Sequence, residues 1–225
     1  ADEAGGWQAT PTAQSGRDFW NGSLVGGSSN LMSGFFHRMK PMDFRLDSTF
    51  GPIEGANRVD WPIDYDDLEP YYSRIEQLVG VSGQVVAHSQ QEPRSSADFP
   101  LPPTAEHPIS GWIDQACGRL GLTPVKVARA ILPRNYRGRG NCSYSGYCGS
   151  YGCATGAKGS ARVAFIEPAV AAGRCQLRPH SHVTRLISDS TGRVTEAHYR
   201  DGEGASQRVS AKIFVVACQA IESSR

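Results

Sequence analysis

Apolar residues recur most regularly in "DWPIDYDDLEPYYSRIEQLVGVSG", residues 60–83. Leu68, Tyr71 or Tyr72, Ile75, Leu78 and Val79 fall at helical spacing with charged residues between them, which predicts an amphipathic helix. Asp66 or Asp67 is placed to accept the first N–H groups, Pro70 is expected in the first turn, and Gly80 ends the run. A second helical pattern, Ile109, Ile113, Ala116 and Leu120 in "ISGWIDQACGRLGL", also stops at a glycine. Between the two, "QQEPRSSADFPLPPTAEHP" is proline-rich and polar and predicts an excursion over the surface. "PVKVARAILP" (124–133) is rich in β-branched residues and predicts an extended segment.

Nearer the C-terminus the pattern changes. "CQLRPHSHVTRLISD", "RVTEAHYRD" and "QRVSAKIFVVACQA" read as strands of a meander, joined by turns at "STG" and "GEGAS". The run "IFVVAC" predicts a strand buried on both faces, as inside an α/β sheet, and "AIESSR" opens a helix. Residues 1–20 are polar and predict an extended arm.

Composition narrows the partners. The 225 residues suit one large or two small domains, and 23 basic against 22 acidic residues give a net charge of +1. No nucleic-acid or polybasic membrane partner is implied. No apolar run approaches the roughly 18 residues of a membrane-spanning helix. The start "ADEAGG" has no basic-then-apolar leader, so no signal peptide is expected there; a cleaved, exported chain would share that start.

Six cysteines are too sparse for a disulfide scaffold, but Cys142, Cys148 and Cys153 crowd into "GNCSYSGYCGSYGCATGAKGS". A metal centre needs thiolates converging to about 2.3 Å from the metal, and the glycines at 140, 146, 149, 152 and 156 let the loop wrap. The spacing is neither the paired C-x-x-C of a zinc ribbon nor the bacterial ferredoxin pattern. On spacing alone, a metal or iron–sulfur centre, disulfide pairing and plain burial all stay open. Cys117, Cys175 and Cys218 lie in apolar segments and are expected to be buried small residues.

"VGGSSN" offers backbone N–H groups and hydroxyls to an anion or a flat cofactor, or is only a turn. His180 and His182 alternate along a strand as a surface pair, and His37 sits in "FFHR". Asp64, Asp66, Asp67 and Glu69 read as helix-start acids rather than metal ligands. "RGRGNC" is not framed by a strand and a helix, so it is no dinucleotide fingerprint.

Taken in order, "VGGSSNLMSG…R…P.DF" at 25–44, "DWPIDYDDLEPYYSRIEQLVGVSG" at 60–83 and "CSYSGYCGSYGCATGAKGSA" at 142–161 resemble one family. With "LRPHSHVTRLISDSTGRVTEAHYRDGEG" and "KIFVVACQAIESSR", they resemble the glucose–methanol–choline (GMC) flavoprotein oxidoreductases across residues 20–225. The branch resembled is that of the gluconate, fructose and glucoside dehydrogenase large subunits.

The resemblance implies the α+β or α/β middle portion of a two-domain flavoprotein, with a Rossmann-like FAD domain beside a substrate domain holding an antiparallel sheet. Residues 1–45 would form an arm and the FAD-contacting loop, and 46–140 cap and substrate-domain elements. Residues 141–160 would form the cysteine loop, and 161–225 the meander and one strand of the FAD domain. Gly26, Gly27, Ser28, Ser29 and Asn30 would run past the flavin and pyrophosphate of FAD. Val183 would meet the adenine end through its backbone, and Cys218 would lie near the cofactor, where many relatives have alanine. Leu31 stands where relatives with covalent flavin have histidine, which implies noncovalent FAD.

Cys142, Cys148 and Cys153 match three cysteines of a loop that carries a [3Fe–4S] cluster in several relatives, with Ser145 at the remaining position. Electrons would then leave the flavin singly, through a small subunit and a cytochrome c-type or other haem or quinone acceptor, in the periplasm and with membrane association through a partner. The substrate would be a sugar or polyol. The family's G-x-G-x-x-G strand–helix unit and its catalytic-histidine region are not matched, so the chain is expected to need those remaining N- and C-terminal parts of the enzyme for activity. Two alternatives stand beside this: a GMC flavoenzyme with structural cysteines, and a non-catalytic, disulfide-stapled secreted module.

Overall fold

Asp64 opens the longest helix among the described residues. Its carboxylate accepts the Asp67 N–H at 3.1 Å, and the Asp67 carboxylate accepts the Asp64 N–H at 3.0 Å, a reciprocal cap that closes the first turn. The computed structural model describes Gln14, residues 22–89 and residues 91–224, without the side chains of 220, 221 and 224. The expected arm over residues 1–20 lies outside the described residues apart from Gln14. In chain order the helices are α1 (Leu46–Phe50), α2 (Tyr65–Val79), α3 (Pro108–Arg119), α4 (Glu167–Ala171) and α5 (Gln219–Ser224). The strands are β1 (His182–Ser188), β2 (Val194–Arg200) and β3 (Ser206–Ser210). The chain divides into two compact units between Arg174 and Cys175. No helix among the described residues is long and apolar enough to cross a membrane.

Helix α2 is where predicted and observed patterns diverge. Asp64 caps it rather than Asp66 or Asp67, so the helix starts earlier and Pro70 lies inside it instead of in its first turn. Gly80 ends it in the left-handed region, where a side chain would also collide with Leu132 and Tyr136. The buried face is Tyr65, Glu69, Glu76 and Val79, so only Val79 of the predicted apolar stripe is buried. Leu68, Tyr71, Tyr72 and Ile75 instead line an open groove with Phe35 and Phe36.

Arg38 explains the inversion. Its Nε and Nη2 donate to the two oxygens of Glu76 at 2.8 and 2.9 Å, Nη1 donates to Glu69 at 2.9 Å and to the Tyr65 hydroxyl at 3.0 Å, and Nη2 also reaches Ser73 at 3.1 Å. All five N–H groups of a buried guanidinium are therefore used. Burial opposes its charge, but the hydrogen bonds to Glu76, Tyr65 and Glu69 outweigh it and raise its pKa. Arg94 joins Glu76 from the other side, and Ser95 donates its N–H and hydroxyl to Glu69, each at 3.0 Å. Glu69 is thus a buried acceptor rather than a solvated helix-start acid.

These bonds pull the proline-rich segment inward. Arg94 lies over the Phe99 ring, and Leu101 is fully buried. The surface excursion predicted there is thus tied inward at one point, Leu101, with the rest of the segment half-buried or exposed.

The interior of this unit is organised by an extended segment, Ala128–Leu132. Arg129 exchanges both backbone hydrogen bonds with Ser82 at 2.8 Å. The Phe36 N–H donates to the Ala128 carbonyl, the Ala130 N–H to Gly34, the Gly159 N–H to Ala130, the Leu132 N–H to Ala157, and the Cys142 N–H to Leu132, all at 2.7–3.1 Å. Val79, Val81 and Ala130 pack with Met32, Phe36, Phe99 and Phe165; Leu101, Leu132 and Ala157 pack with Tyr136, Cys142 and Cys153. The predicted extended segment is present, and its neighbours are loops.

Helix α3 forms where expected but buries none of its residues, and Trp112 is 71% exposed. In the second unit, β1, β2 and β3 form the expected antiparallel meander, with register irregularities near Val183 and Ser188. The last strand is shorter than predicted. It ends at Ser210, and "IFVVAC" is neither a strand nor buried: Val215 is 84% exposed. An apolar strand needs neighbours on both edges and both faces, and none of the described residues supplies them.

Burial raises the Glu69 carboxyl, but the Ser95 N–H, Arg38 and the Ser95 and Ser73 hydroxyls outweigh it and hold the pKa at about 2, against the ordinary 4.5. A depressed acid contributes stability above its unfolded value and loses it as pH falls towards its folded one. Urea unfolding is therefore expected to show stability falling between about pH 4.5 and pH 2, and falling less steeply in Glu69→Gln. Arg38→Met, which leaves buried Glu69 without a cation and Glu76 with Arg94 alone, is expected to cost about 3–5 kcal/mol in the same measurement.

Candidate functional site

The glycine–serine loop folds on itself before it offers anything outward. Gly26 (φ 88°) and Gly27 (φ 57°) both take left-handed backbone conformations, and a short 3-10 turn, Gly27–Asn30, follows. A Cβ on Gly26 would meet Arg162 and Asn30 at 2.8–2.9 Å, so backbone packs there where no side chain fits. The buried Asn30 amide donates to the Val25 and Gly27 carbonyls at 2.9 Å, and its oxygen accepts from Arg162 Nε at 3.2 Å. The Ser29 hydroxyl donates to the Gly26 carbonyl and accepts the Ala161 N–H at 3.0 Å. Ser28 Oγ accepts the Gly22 N–H at 2.9 Å. With these side chains committed to loop structure, backbone is the loop's main offering to a ligand.

The cysteine loop packs against this one. Lys158, 2% exposed, donates from Nζ to the carbonyls of Tyr151 at 2.8 Å, Cys148 at 3.1 Å and Asn30 at 3.5 Å. One buried side chain thus ties both glycine-rich loops together. The Ser150 N–H adds a bond to the Leu31 carbonyl at 3.1 Å. Between the loops and the π-helical turn Arg162–Ile166 lies a cavity of about 240 Å³, walled by Leu31, Cys153, Lys158, Arg162 and Val163 among others. Two cationic side chains and no carboxylate line it, and only carbonyl oxygens answer Lys158. A buried amine balanced by dipoles alone favours a polar or anionic guest beside it.

The three loop cysteines do not assemble as a ligand set. Cys142 and Cys153 pack on the same Leu101–Leu132–Ala157 cluster, whereas Cys148 contributes its carbonyl to Lys158. Among the described residues no group of three or more His, Cys, Asp or Glu side chains could hold a metal. The residues therefore do not fit the expected [3Fe–4S] cluster. No cysteine is paired in a disulfide.

Two of the sulfurs accept backbone hydrogen bonds instead: Cys142 from the Tyr144 N–H at 3.3 Å and Cys153 from the Lys158 N–H at 3.4 Å. Burial pushes the Cys153 thiol up, but that N–H, the Thr155 hydroxyl and neighbouring amides outweigh it and lower its pKa. The remaining cysteines depart from the expected burial. Cys117 is half-buried, and Cys175 and Cys218 are exposed because the apolar segments around them are uncovered.

Val183 and Cys218 belong to the second unit. Val183, half-exposed, pairs with Tyr199 in β1. Just before α5, the Cys218 N–H donates to the Oγ of Ser223 near the end of that helix. His180 and His182 are exposed, His37 stacks with Phe35, and no histidine walls the cavity. Sequence reasoning passed over Lys158 and Arg162. The signal was present in "GAKGSAR", where a lone lysine sits among small residues that cannot shield it from the interior.

The family model for GMC oxidoreductase matches residues 102–225. The chain is 32% identical over 208 residues to 6'''-hydroxyparomomycin C oxidase of Streptomyces lividus, covering 91% of the chain and 37% of that protein. It is 34% identical over 202 residues to 2-methyl-1,2-propanediol dehydrogenase of Mycolicibacterium austroafricanum, covering 89% and 35%. It is 29% identical over 205 residues to the fructose dehydrogenase large subunit of Gluconobacter japonicus, covering 89% and 36%. The chain spans about a third of the length of the curated relatives it matches.

Two outcomes follow from the loop geometry. Gly26→Ala adds a side chain where backbone and Arg162 already meet and forces alanine into a left-handed conformation; it is expected to lower stability by about 1–3 kcal/mol in urea. Alkylation of Cys153, followed by peptide mass spectrometry across pH, is expected to show a midpoint below the ordinary thiol value of 9.0.

Proposed function

The chain belongs to the GMC oxidoreductase family, and on that premise we propose that it supplies the flavin-facing loops of an FAD-dependent enzyme oxidising an alcohol group of a sugar or polyol. The family binds FAD. The observation that carries the reading is the cavity where the Gly26–Leu31 loop, Lys158 and Arg162 meet. When bound, FAD supplies the hydride acceptor for the alcohol carbon.

This chain's part is to hold and orient that group. Backbone at Gly26–Asn30 approaches closely because no side chain projects from the two glycines. Lys158 and Arg162 place positive charge on the wall, which favours the electron-rich, oxygen-bearing edge of a cofactor over a cation. Asn30 fixes the Arg162 guanidinium and Glu167 holds its other end at 2.5 Å, so the charge is aimed before a ligand arrives. Leu31 on the cavity wall is aliphatic and forms no bond to a flavin, so FAD is held noncovalently. Proton removal from the alcohol is assigned to no residue of this chain.

No electron step is routed through an iron–sulfur centre, because the cysteines do not form its ligand set; the sulfurs of Cys142 and Cys153 are instead ordered by backbone N–H groups. The fructose dehydrogenase large subunit is one subunit of a larger assembly, and a partner subunit carrying electrons onward in the periplasm belongs to this proposal.

The complete purified protein tests the reading. Acid precipitation is expected to release all of its flavin, iron is expected to be absent, and the flavin bands are expected to bleach anaerobically with a sugar or polyol. Arg162→Met is expected to weaken FAD binding by about tenfold. Protein that folds but retains no flavin would contradict the proposal; a three-iron EPR signal lost in Cys148→Ser would overturn its account of the cysteines.

A further inference from the structure

The basic run "RNYRGRG" has no place in the cofactor-facing cavity. Residues 136–139 form a two-residue hairpin: the Tyr136 and Arg139 backbones exchange hydrogen bonds at 3.0–3.1 Å, with Arg137 at φ 49° and Gly138 at φ 78°. Two successive left-handed residues define a turn whose first position ordinarily takes Asn, Asp or Gly. Arginine there is a local conformational cost that asparagine would relieve, and such costs persist where the side chain is used.

The turn directs both arginines to a cavity of about 340 Å³ otherwise lined by Leu78, Val163, Ala164 and Pro168. Val163 walls this cavity on one side and the cofactor-facing cavity on the other. No carboxylate lines it. Arg139 caps the C-terminal end of α2 through Nη2 and the Val79 carbonyl, which explains one edge of its guanidinium. Its Nη1 is buried without any hydrogen-bond partner. Burial lowers the pKa of Arg139, with the like charge of Arg137 adding to it and Tyr136 and Cys153 opposing it, and the cavity wall beside the two arginines is otherwise apolar.

We propose that Arg137 and Arg139 form a binding site for a small oxyanion with an apolar body, such as an organic phosphate or carboxylate. The oxyanion accepts from the Arg137 and Arg139 guanidinium groups that line the cavity, and the apolar part rests on Leu78, Val163 and Pro168. The ligand is diffusible and the site is separate from the flavin.

The test is calorimetric titration of the complete, flavin-loaded protein with phenyl phosphate at fixed ionic strength, together with melting curves. Native protein is expected to bind saturably without releasing flavin. Arg137→Asn is expected to bind about tenfold more weakly while melting at a higher temperature, since it keeps the turn and relieves its backbone. Arg134→Gln, which alters an exposed arginine of the same run that does not line the cavity, is expected to bind as the native protein does. Absent saturable binding, displacement of flavin, unchanged binding in Arg137→Asn, or an equal loss in Arg134→Gln would each overturn the proposal.

Discussion

Five consecutive residues, Ala128–Leu132, run through the interior with almost no regular secondary structure around them, and their backbone groups must find partners there. They find them in Gly34–Phe36 after the glycine–serine turn, Ser82 after α2, and both ends of the cysteine loop, Cys142 at its entry and Ala157–Gly159 at its exit. An unpaired interior amide costs about 1–3 kcal/mol, so breaking any one of these attachments is expensive. The candidate site is assembled by that requirement. Loops more than a hundred residues apart in sequence, around Asn30 and Lys158, are neighbours because both flank the same segment.

Charge does the second part of the assembly. Arg38 with Glu69 and Glu76 fixes α2 against the segment leading out of the glycine–serine loop, and Lys158 fixes the cysteine loop against the loop itself. Both are buried cations, but they are answered differently. Arg38 meets two carboxylates and is fully used, a structural device. Lys158 meets only carbonyls beside a cavity, which leaves the positive field in place for a guest. The contrast separates the residue that builds the fold from the one that prepares the site.

Much of this was legible from the chain. The α2 boundaries at Gly80, the β1–β3 meander with its turns, and the family itself followed from short-range patterns and from motifs in order. What escaped depended on partners distant in sequence. The buried face of α2 carries glutamates because Arg38, 38 residues before Glu76, supplies their counter-charge, and no periodicity in α2 reports that. "IFVVAC" has the composition of a central strand, but a strand is a relation between segments, and none described here pairs with it. The cysteines have a spacing that permits convergence, whereas Lys158 draws the Cys148 backbone towards itself and the other two cysteines pack on the Leu101–Leu132–Ala157 cluster.

The central claim is that flavin rests where the two glycine-rich loops meet, and hydrogen–deuterium exchange of the complete protein with and without FAD tests it most directly. Added FAD is predicted to slow exchange at the amides of residues 26–31 and 156–163 together, with α3 unchanged. Strong protection elsewhere in a protein that binds FAD, with both of these segments unaffected, would contradict it.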